Sequence, residues 1–344
     1  MRELLERWLS ALWWAPRRTA ASFALQPLAC AYGALSWLDR KRTRPRHPGL
    51  PVVVIGNLVV GGAGKTPTVI AVVRSLRALG WSPGVVSRGH GRREPRRVRE
   101  VRADSAPDDV GDEPLLIHLR TRAPVVVGRD RVAAAAALRQ AHPDVDLIVS
   151  DDGLQHHRLA RDAEVIVFDE RGVGNGALLP AGPLRERLPT HAQADALVLY
   201  NALAPSTPLR GWLAHRRLGG VVALDAWWRG EPADPAALAA LGRRPVVAVA
   251  GIAHPGRFFE MLRAEGLVVV EHPLPDHHAF RTLPWRPDTP DVIVTEKDAV
   301  KLAPQRIGGE TRVWVAPLDF QPDAGLFAAL RRALPAPPSH PCVP

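Results

Sequence analysis

Gly61, Gly62, Ala63, Gly64, Lys65 and Thr66 follow directly on the apolar run that ends at Ile55. A strand that runs into a glycine-rich turn, Lys-Thr and a helix is an arrangement that cradles nucleotide phosphates. The glycines let backbone N–H groups approach phosphate oxygens without Cβ interference, the helix start points its positive end at them, and the lysine neutralises charge further out. Only four of the 45 basic residues are lysines (41, 65, 297 and 301), so a lysine at this position is not a product of composition. Further along, residues 147–152 form an apolar strand that ends in Asp151 and Asp152. Beside a phosphate loop, such a strand-end aspartate holds Mg²⁺ opposite the loop hydroxyl, here Thr66. Each motif has a bland alternative. The loop could be a turn that binds nothing, and Asp-Asp-Gly could be a corner, since these are turn residues.

The loop departs from the full phosphate-loop pattern, which wants a glycine where Val59 stands. It resembles the shortened Gly-Gly-x-Gly-Lys-Thr loop of the branch that includes partition ATPases. Those dimerising ATPases carry a signature lysine at the position of Val60, so its absence here speaks against a nucleotide-gated dimer switch.

Something must position these groups. At 344 residues the chain can bury two cores. Strands are expected at 52–55, 84–87, 123–128, 146–150, 164–168 and 196–200, with helices at 67–79, 115–119 and 132–140 between them. That alternation predicts an α/β fold with a parallel sheet and ligands at the carboxyl ends of its strands. A second set, with strands at 246–251, 267–271, 292–295 and 312–316 and a helix at 258–265, predicts a smaller α/β domain. The expected domains are an N-terminal helical segment at 1–45, a phosphate-loop domain at 46–205, a linker at 206–243, a C-terminal domain at 244–334 and a tail at 335–344. Closure of the second domain over the first would exclude water from the site.

A formal charge of +10, carried almost wholly by arginine, favours phosphate-bearing or anionic-membrane partners. No zinc-finger, homeodomain or RNP-type signature accompanies it, so nucleic acid is not an expected partner, and no obligate protein partner is expected. Cys30 and Cys342 lie too far apart in sequence to suggest a disulfide framework or metal site, which fits the cytoplasm. The N-terminus carries Leu4, Leu5, Trp8, Leu9, Leu12 and Trp13 at helical spacing, and residues 19–38 hold no charge. Twenty such residues could just span a bilayer, but Gln26 and Pro27 interrupt them and basic residues flank both ends. The segment is read as helices lying on a membrane surface, anchored by tryptophan and arginine. The alternative is a helical hairpin packed on the protein's own core.

Six motifs in order resemble those of the tetraacyldisaccharide 4'-kinase family. They are Gly56-Asn57-Leu58 running on to Gly64-Lys65-Thr66-Pro67, Ser87-Arg88-Gly89-x-Gly91-Arg92, Gly111-Asp112-Glu113-Pro114, residues Asp151 to His156, residues Leu179 to Glu186, and Pro275-Asp276-His277-His278. The resemblance implies transfer of the ATP γ-phosphate to the 4'-hydroxyl of the lipid A disaccharide 1-phosphate precursor, at the cytoplasmic face of the bacterial inner membrane. It implies that Lys65 contacts the transferred phosphate, that Thr66, Asp151, Asp152 and Glu186 hold or support Mg²⁺, and that Asp112 is a general base partnered by His277. Spacing alone does not choose His277 over His278, and Gly-Asp-Glu-Pro could equally be a helix start capped by Asp112. His90 stands where the family commonly has tyrosine and is a candidate for the nucleotide site. Arg129, Arg131 and Gln155 are candidates for the anionic substrate or nucleotide. The run Arg92, Arg93, Arg96, Arg97, Arg99 and Arg102 could meet lipid phosphates or be a solvated loop. The competing functions are a membrane-associated switch of the partition-ATPase type and a kinase of a soluble small molecule.

Overall fold

The computed structural model describes residues 2–188, 196–308 and 310–338. The N-terminal segment holds α1 (Arg2–Trp13), α2 (Ala20–Ala24) and α3 (Gln26–Arg42). Next come β1 (Val52–Gly56), α4 (Lys65–Ala78) and β2 (Pro83–Ser87), then β3 (Arg99–Val101), α5 (Pro107–Val110), α6 (Asp112–Thr121) and β4 (Val125–Val127). The chain continues through α7 (Arg131–Ala141), β5 (Leu147–Asp151), β6 (Ala163–Asp169), β7 (Ala196–Asn201) and β8 (Trp212–Leu218). It then forms β9 (Val222–Ala223), α8 (Leu224–Arg229), α9 (Pro235–Leu241), β10 (Val246–Ala250), α10 (Pro255–Ala264) and β11 (Val269–Pro273). Last are β12 (Asp291–Thr295), α11 (Glu296–Ala299), β13 (Arg312–Ala316), β14 (Leu318–Pro322) and α12 (Ala324–Ala333).

These elements fall into two units, one drawn from the described residues of 1–88, 130–215 and 322–344, the other from 89–129 and 216–321. In the first, parallel pairings run β8, β7, β6, β1, β5, β2. Every residue of β1, β2 and β5 is buried. Parallel strands covered on both faces read as continuous apolar runs, which is why Val-Val-Val-Ile was legible as a strand. Because the pairing is parallel, β1, β5, β6 and β7 deliver the phosphate loop, Asp151, Asp169 and Asn201 to one sheet edge. In the second unit the order is β11, β10, β12, β13, β9, parallel except for the last pair. Phe258, Phe259 and Leu262 of α10 pack with Leu238 and Leu241 of α9 on Ala248, Ala250 and Ile293 of the strands.

The division differs from the expected one. Residues 206–243, expected as a linker, form β8, β9, α8 and α9, and Val221, Trp227, Leu238 and Leu241 are buried. Helices of six and seven residues are too short to show a 3.6-residue period among scattered Pro and Gly. Residues 89–129, expected within the phosphate-loop domain, group with the second unit. α12 was not foreseen. Asp323 caps it through Gly325 N, and it buries Leu326 and Leu330, each worth about 2 kcal/mol. Of the expected tail, residues 339–344, including Cys342, lie outside the described residues, as does the side chain of Leu4.

The uncharged stretch 19–38 does not form one helix. Thr19 caps α2 by accepting from Ser22 N, and α3 starts afresh with Pro27 in its first turn, where a missing N–H costs nothing. No helix among the described residues is long and apolar enough to cross a membrane. Asn175 fastens these helices to the loop 171–185 of their own unit. Its Nδ2 donates to Leu12 O (3.1 Å) and Ala181 O (2.9 Å), and its Oδ1 accepts from Ala177 N. Trp13 Nε1 donates to Pro180 O, Ser22 Oγ to Ala181 O and Tyr32 OH to Arg185 O. Ala29 packs with Ala177 and Ala181. Part of the segment is therefore seated on protein. The large side chains of Leu5, Trp8, Phe23, Leu28, Leu35 and Trp37 remain exposed. Asn175→Ala removes the bonds to Leu12 O and Ala177 N and leaves Ala181 O with Ser22 Oγ, and is expected to cost about 1–3 kcal/mol. Limited proteolysis should then cut within residues 14–25 faster than in the wild type, at unchanged secondary-structure content by circular dichroism.

Candidate active site

The phosphate loop is shaped by two left-handed glycines, Gly61 at φ 91° and Gly64 at φ 90°. Gly64 also lies so close to Asn201 that a Cβ there would stand 2.1 Å from Asn201 Nδ2, which itself donates to Ala63 O. Arg171 Nη2 donates to Gly62 O, and Asn57 Nδ2 to Gly61 O. The loop carbonyls are thus occupied by the protein, which leaves the first N–H groups of α4 for an anion. Lys65 Nζ, anchored on Asn57 Oδ1 at 3.2 Å, reaches Asp152 Oδ1 at 3.4 Å.

At the end of β5, Asp151 Oδ2 accepts from Ser87 Oγ at 2.8 Å. Asp152 turns the chain in the left-handed region at φ 48°. Burial pushes its carboxyl pKa up, but Lys65, Arg185 and Arg131 outweigh that and hold it below the ordinary carboxylate range. Asp152 Oδ1 and Glu186 Oε1 are both buried and accept no hydrogen bond. Among the described residues no group of three or more His, Cys, Asp or Glu is arranged to hold a metal ion. Mg²⁺ on a nucleotide takes one or two carboxylates and completes its shell with phosphate oxygens and water, so this donor set fits it. Gln155 Nε2 donates to Asn57 O, and its Oε1 accepts from Arg185. Arg131 is buried, with Nη2 on the carbonyls of Asp151 and Asp152, and so braces the strand end.

The second unit holds the other cluster. Gly111, at φ 93°, starts α6, and Asp112 is its first residue. Asp112 Oδ1 accepts from Glu113 N at 2.9 Å, while Oδ2 lies 2.9 Å from His277 Nδ1. The N-cap position is taken by Gly111, which has no side chain to cap with, so Asp112 is the first helical residue and not the cap the sequence allowed. Burial raises the Asp112 pKa, yet the bond from His277 and the charges of Lys297 and Lys301 leave it lowered. The His277 pKa is raised by that same bond, against burial and Lys297. His278 packs edge-on against Phe280, and it is the His277 ring that lies on Asp112. His90, expected at the nucleotide, lies with its ring 5.5 Å from that of His277. Arg129 is exposed. In the arginine run, Arg93, Arg97, Arg99 and Arg102 pair with Asp108, Glu94, Asp109 and Glu100, and Arg92 is buried, so the run is largely satisfied within its own unit.

Sequence reasoning gave no role to Asn57, Ser87, Arg171, Arg185, Asn201, Lys297 or Lys301. For the two lysines the signal was present. In a chain that uses arginine almost everywhere, three of four lysines stand at these two clusters.

The family model for tetraacyldisaccharide-1-P 4'-kinase matches residues 21–335. The tetraacyldisaccharide 4'-kinase of Methylibium petroleiphilum is 62% identical over 339 residues, covering 96% of this chain and 94% of that protein. Its counterpart in Leptothrix cholodnii is 55% identical, with 92% and 93% covered, and that of Dechloromonas aromatica 45%, with 92% and 94%. Among solved structures, an "apo" form LpxK from Aquifex aeolicus in complex with ATP superposes with a TM-score of 0.74 at 23% identity, covering 91% of this chain and 99% of that one, a likeness of fold. The chain belongs to the tetraacyldisaccharide 4'-kinase family, and its reaction is phosphorylation of the lipid A disaccharide precursor at the 4'-hydroxyl.

Proposed function

We propose that the phosphoryl donor is ATP, held on the first unit, and that Asp112 of the second unit takes the proton of the sugar hydroxyl. The reaction breaks the bond from γ-phosphorus to the β,γ-bridging oxygen and forms one to the 4'-oxygen, and the hydroxyl proton passes to Asp112. The N–H groups of Gly61 to Thr66 bind the phosphates. Lys65 meets the charge that spreads over the transferred oxygens. Thr66, Asp151, Asp152 and Glu186 would hold Mg²⁺, which supplies charge neutralisation on the phosphates when bound. His277 orients Asp112 through Nδ1–H, His90 borders the acceptor side, and Gln155 steadies Arg185 against Asp152. Exposed Arg129 is assigned to the anionic substrate. ATP in the Aquifex aeolicus relative supports the choice of donor. The single observation that carries the reading is the 2.9 Å contact between Asp112 and His277.

The exposed apolar side chains of α1 to α3, followed by Arg40, Lys41 and Arg42, suit the surface of an anionic bilayer, and we assign them to the cytoplasmic leaflet where a lipid substrate would be met. Lys41 Nζ lies 4.5 Å from the Trp37 ring, a basic-aromatic pair of the interfacial kind.

Lys65→Met should cut the single-turnover rate by roughly 10²-fold or more while the protein still folds. Near-normal turnover would remove the loop from the chemistry. Asp112→Asn and His277→Gln should each slow phosphoryl transfer without weakening ATP binding, and the double variant should be little worse than the slower single one. Multiplicative losses would dissolve the dyad. For the membrane surface, replacing Trp8, Phe23, Leu35 and Trp37 together by serine should move the protein from sedimenting vesicles of phosphatidylglycerol into the supernatant. Activity on a detergent-dispersed substrate should fall far less. Unchanged sedimentation would reject the patch.

A further inference from the structure

Two ammonium groups stand around the Asp112–His277 contact. Lys301 Nζ is 3.9 Å from Asp112 Oδ2, 3.1 Å from Asp298 Oδ1 and 5.4 Å from the centre of the Phe280 ring, and its side chain is only 7% exposed. Lys297 Nζ is 3.4 Å from His277 Nε2, 3.0 Å from Glu113 Oε1 and 3.4 Å from Asp276 Oδ1. The two lysines are four residues apart, the spacing that puts side chains on one face of a helical turn. That turn is itself fixed. Asp298, fully buried, accepts from Gly251 N at 3.0 Å and Thr295 Oγ1 at 2.7 Å. Glu296 accepts from Arg120, from Trp227 Nε1 at 3.2 Å and from Leu318 N at 3.2 Å.

A carboxylate as buried as Asp112 loses hydration that favours its charge, and a neutral acid cannot take a proton. Lys301, 3.9 Å from Oδ2, restores that charge. On the far side of the ring, a proton on His277 Nε2 would face the Lys297 ammonium, so the ammonium favours the ring with a bare Nε2 and its proton on Nδ1, aimed at Asp112. Asp276, with Oδ2 3.9 Å from Nε2, pulls the other way, but Lys297 is paired with its Oδ1. Lys297 keeps its own charge. Burial works against it, but Glu113, Asp112 and Asp276 together raise its pKa.

Resting on the reading of Asp112 as base, we infer that Lys301 and Lys297 are positioning residues for it: Lys301 keeps Asp112 ionised, and Lys297, on Nε2, opposes a second proton on His277 and keeps its Nδ1–H aimed at Asp112. Lys301 and Lys297 both lower the Asp112 pKa, while Lys297 also opposes protonation of the ring. The sign of the pH effect follows. With its pKa lowered, Asp112 is ionised well into acid, so removing Lys301 raises the pKa and moves the acidic limb of the rate upward in pH. The other charged groups facing this pair are Glu113, Asp276, Asp298 and the ring of His90.

The test is a pH profile of single-turnover phosphoryl transfer with ATP and tetraacyldisaccharide 1-phosphate in detergent, for wild type, Lys301→Met, Lys301→Arg and Asp112→Asn. Lys301→Met should shift the acidic limb upward by roughly one pH unit with ATP affinity unchanged, and Lys301→Arg should restore it. An unmoved limb in a folded Lys301→Met overturns the inference. A fast Asp112→Asn overturns the base reading instead. Lys297→Met, nearer the surface, carries the test independently through ¹⁵N spectra of the histidine rings, with the signal assigned by His277→Gln. The ring in Lys297→Met should keep its Nε2 proton to a higher pH than in wild type, since the ammonium opposes that proton. A ring that loses its Nε2 proton at the same pH in both overturns the role of Lys297.

Discussion

Each unit must keep one buried carboxylate charged, and much of the surrounding structure follows from that constraint. Removing a carboxylate from water carries a penalty of several kcal/mol, while a unit charge about 4 Å away returns ~4 kcal/mol at an effective dielectric near 20. One cation roughly offsets the loss, and two or three leave the acid more ionised than in water. Asp152 has Lys65, Arg185 and Arg131, and Asp112 has His277, Lys297 and Lys301. In both cases the cations come from the same unit as the acid. Neither unit therefore needs the other in order to hold its group ready for reaction.

The same constraint explains the use of lysine. Arginine covers the surface of this chain, where its planar fork serves ion pairs with exposed acids. Around Lys297, a compact ammonium on a flexible stem serves several partners at once. Lys297 touches Glu113, Asp276 and His277 at once, a geometry that a guanidinium fork does not match.

How much was legible depended on distance along the chain. The phosphate loop, Thr66 and the Asp151-Asp152 strand end were readable because a buried parallel strand announces itself as an apolar run and the groups it delivers follow within a few residues. The partner of Asp112 was not readable from periodicity, since 165 residues separate it from His277, and only the resemblance to a family brought them together. The burial of Arg131 was not legible, because a charge beside a strand end gives no sign of it. Its carbonyl partners on Asp151 and Asp152 are main-chain atoms, which carry no sequence signal. For the N-terminus, the alternative of packing on the protein itself holds for part of the segment. Asn175, Trp13 and Ser22 seat the helices on protein, while Leu28, Leu35 and Trp37 stay outside that contact.

Backbone strain was also invisible in the sequence, and its location is informative. Among the described residues, the non-glycine positions with positive φ are Arg122, Asp152, His277 and Phe280. Such a conformation costs about 1–2 kcal/mol for an L residue, and it persists only where its surroundings over-determine it. At Asp152 the following residue is Gly153, where a Cβ would stand 2.4 Å from Ser150 Oγ, so the turn closes tightly on its own strand. At His277 the main chain is held by Gly251 O and by Asp276 Oδ1. A left-handed residue reverses the chain within one step, which keeps its side chain at the carboxyl edge of the sheet instead of carrying it into the next element. A glycine would make that turn without strain but would bring no carboxylate or imidazole to the edge. The strain is the consequence of placing a residue with a side chain in the turn beyond a strand, directly after β5 at Asp152 and four residues after β11 at His277.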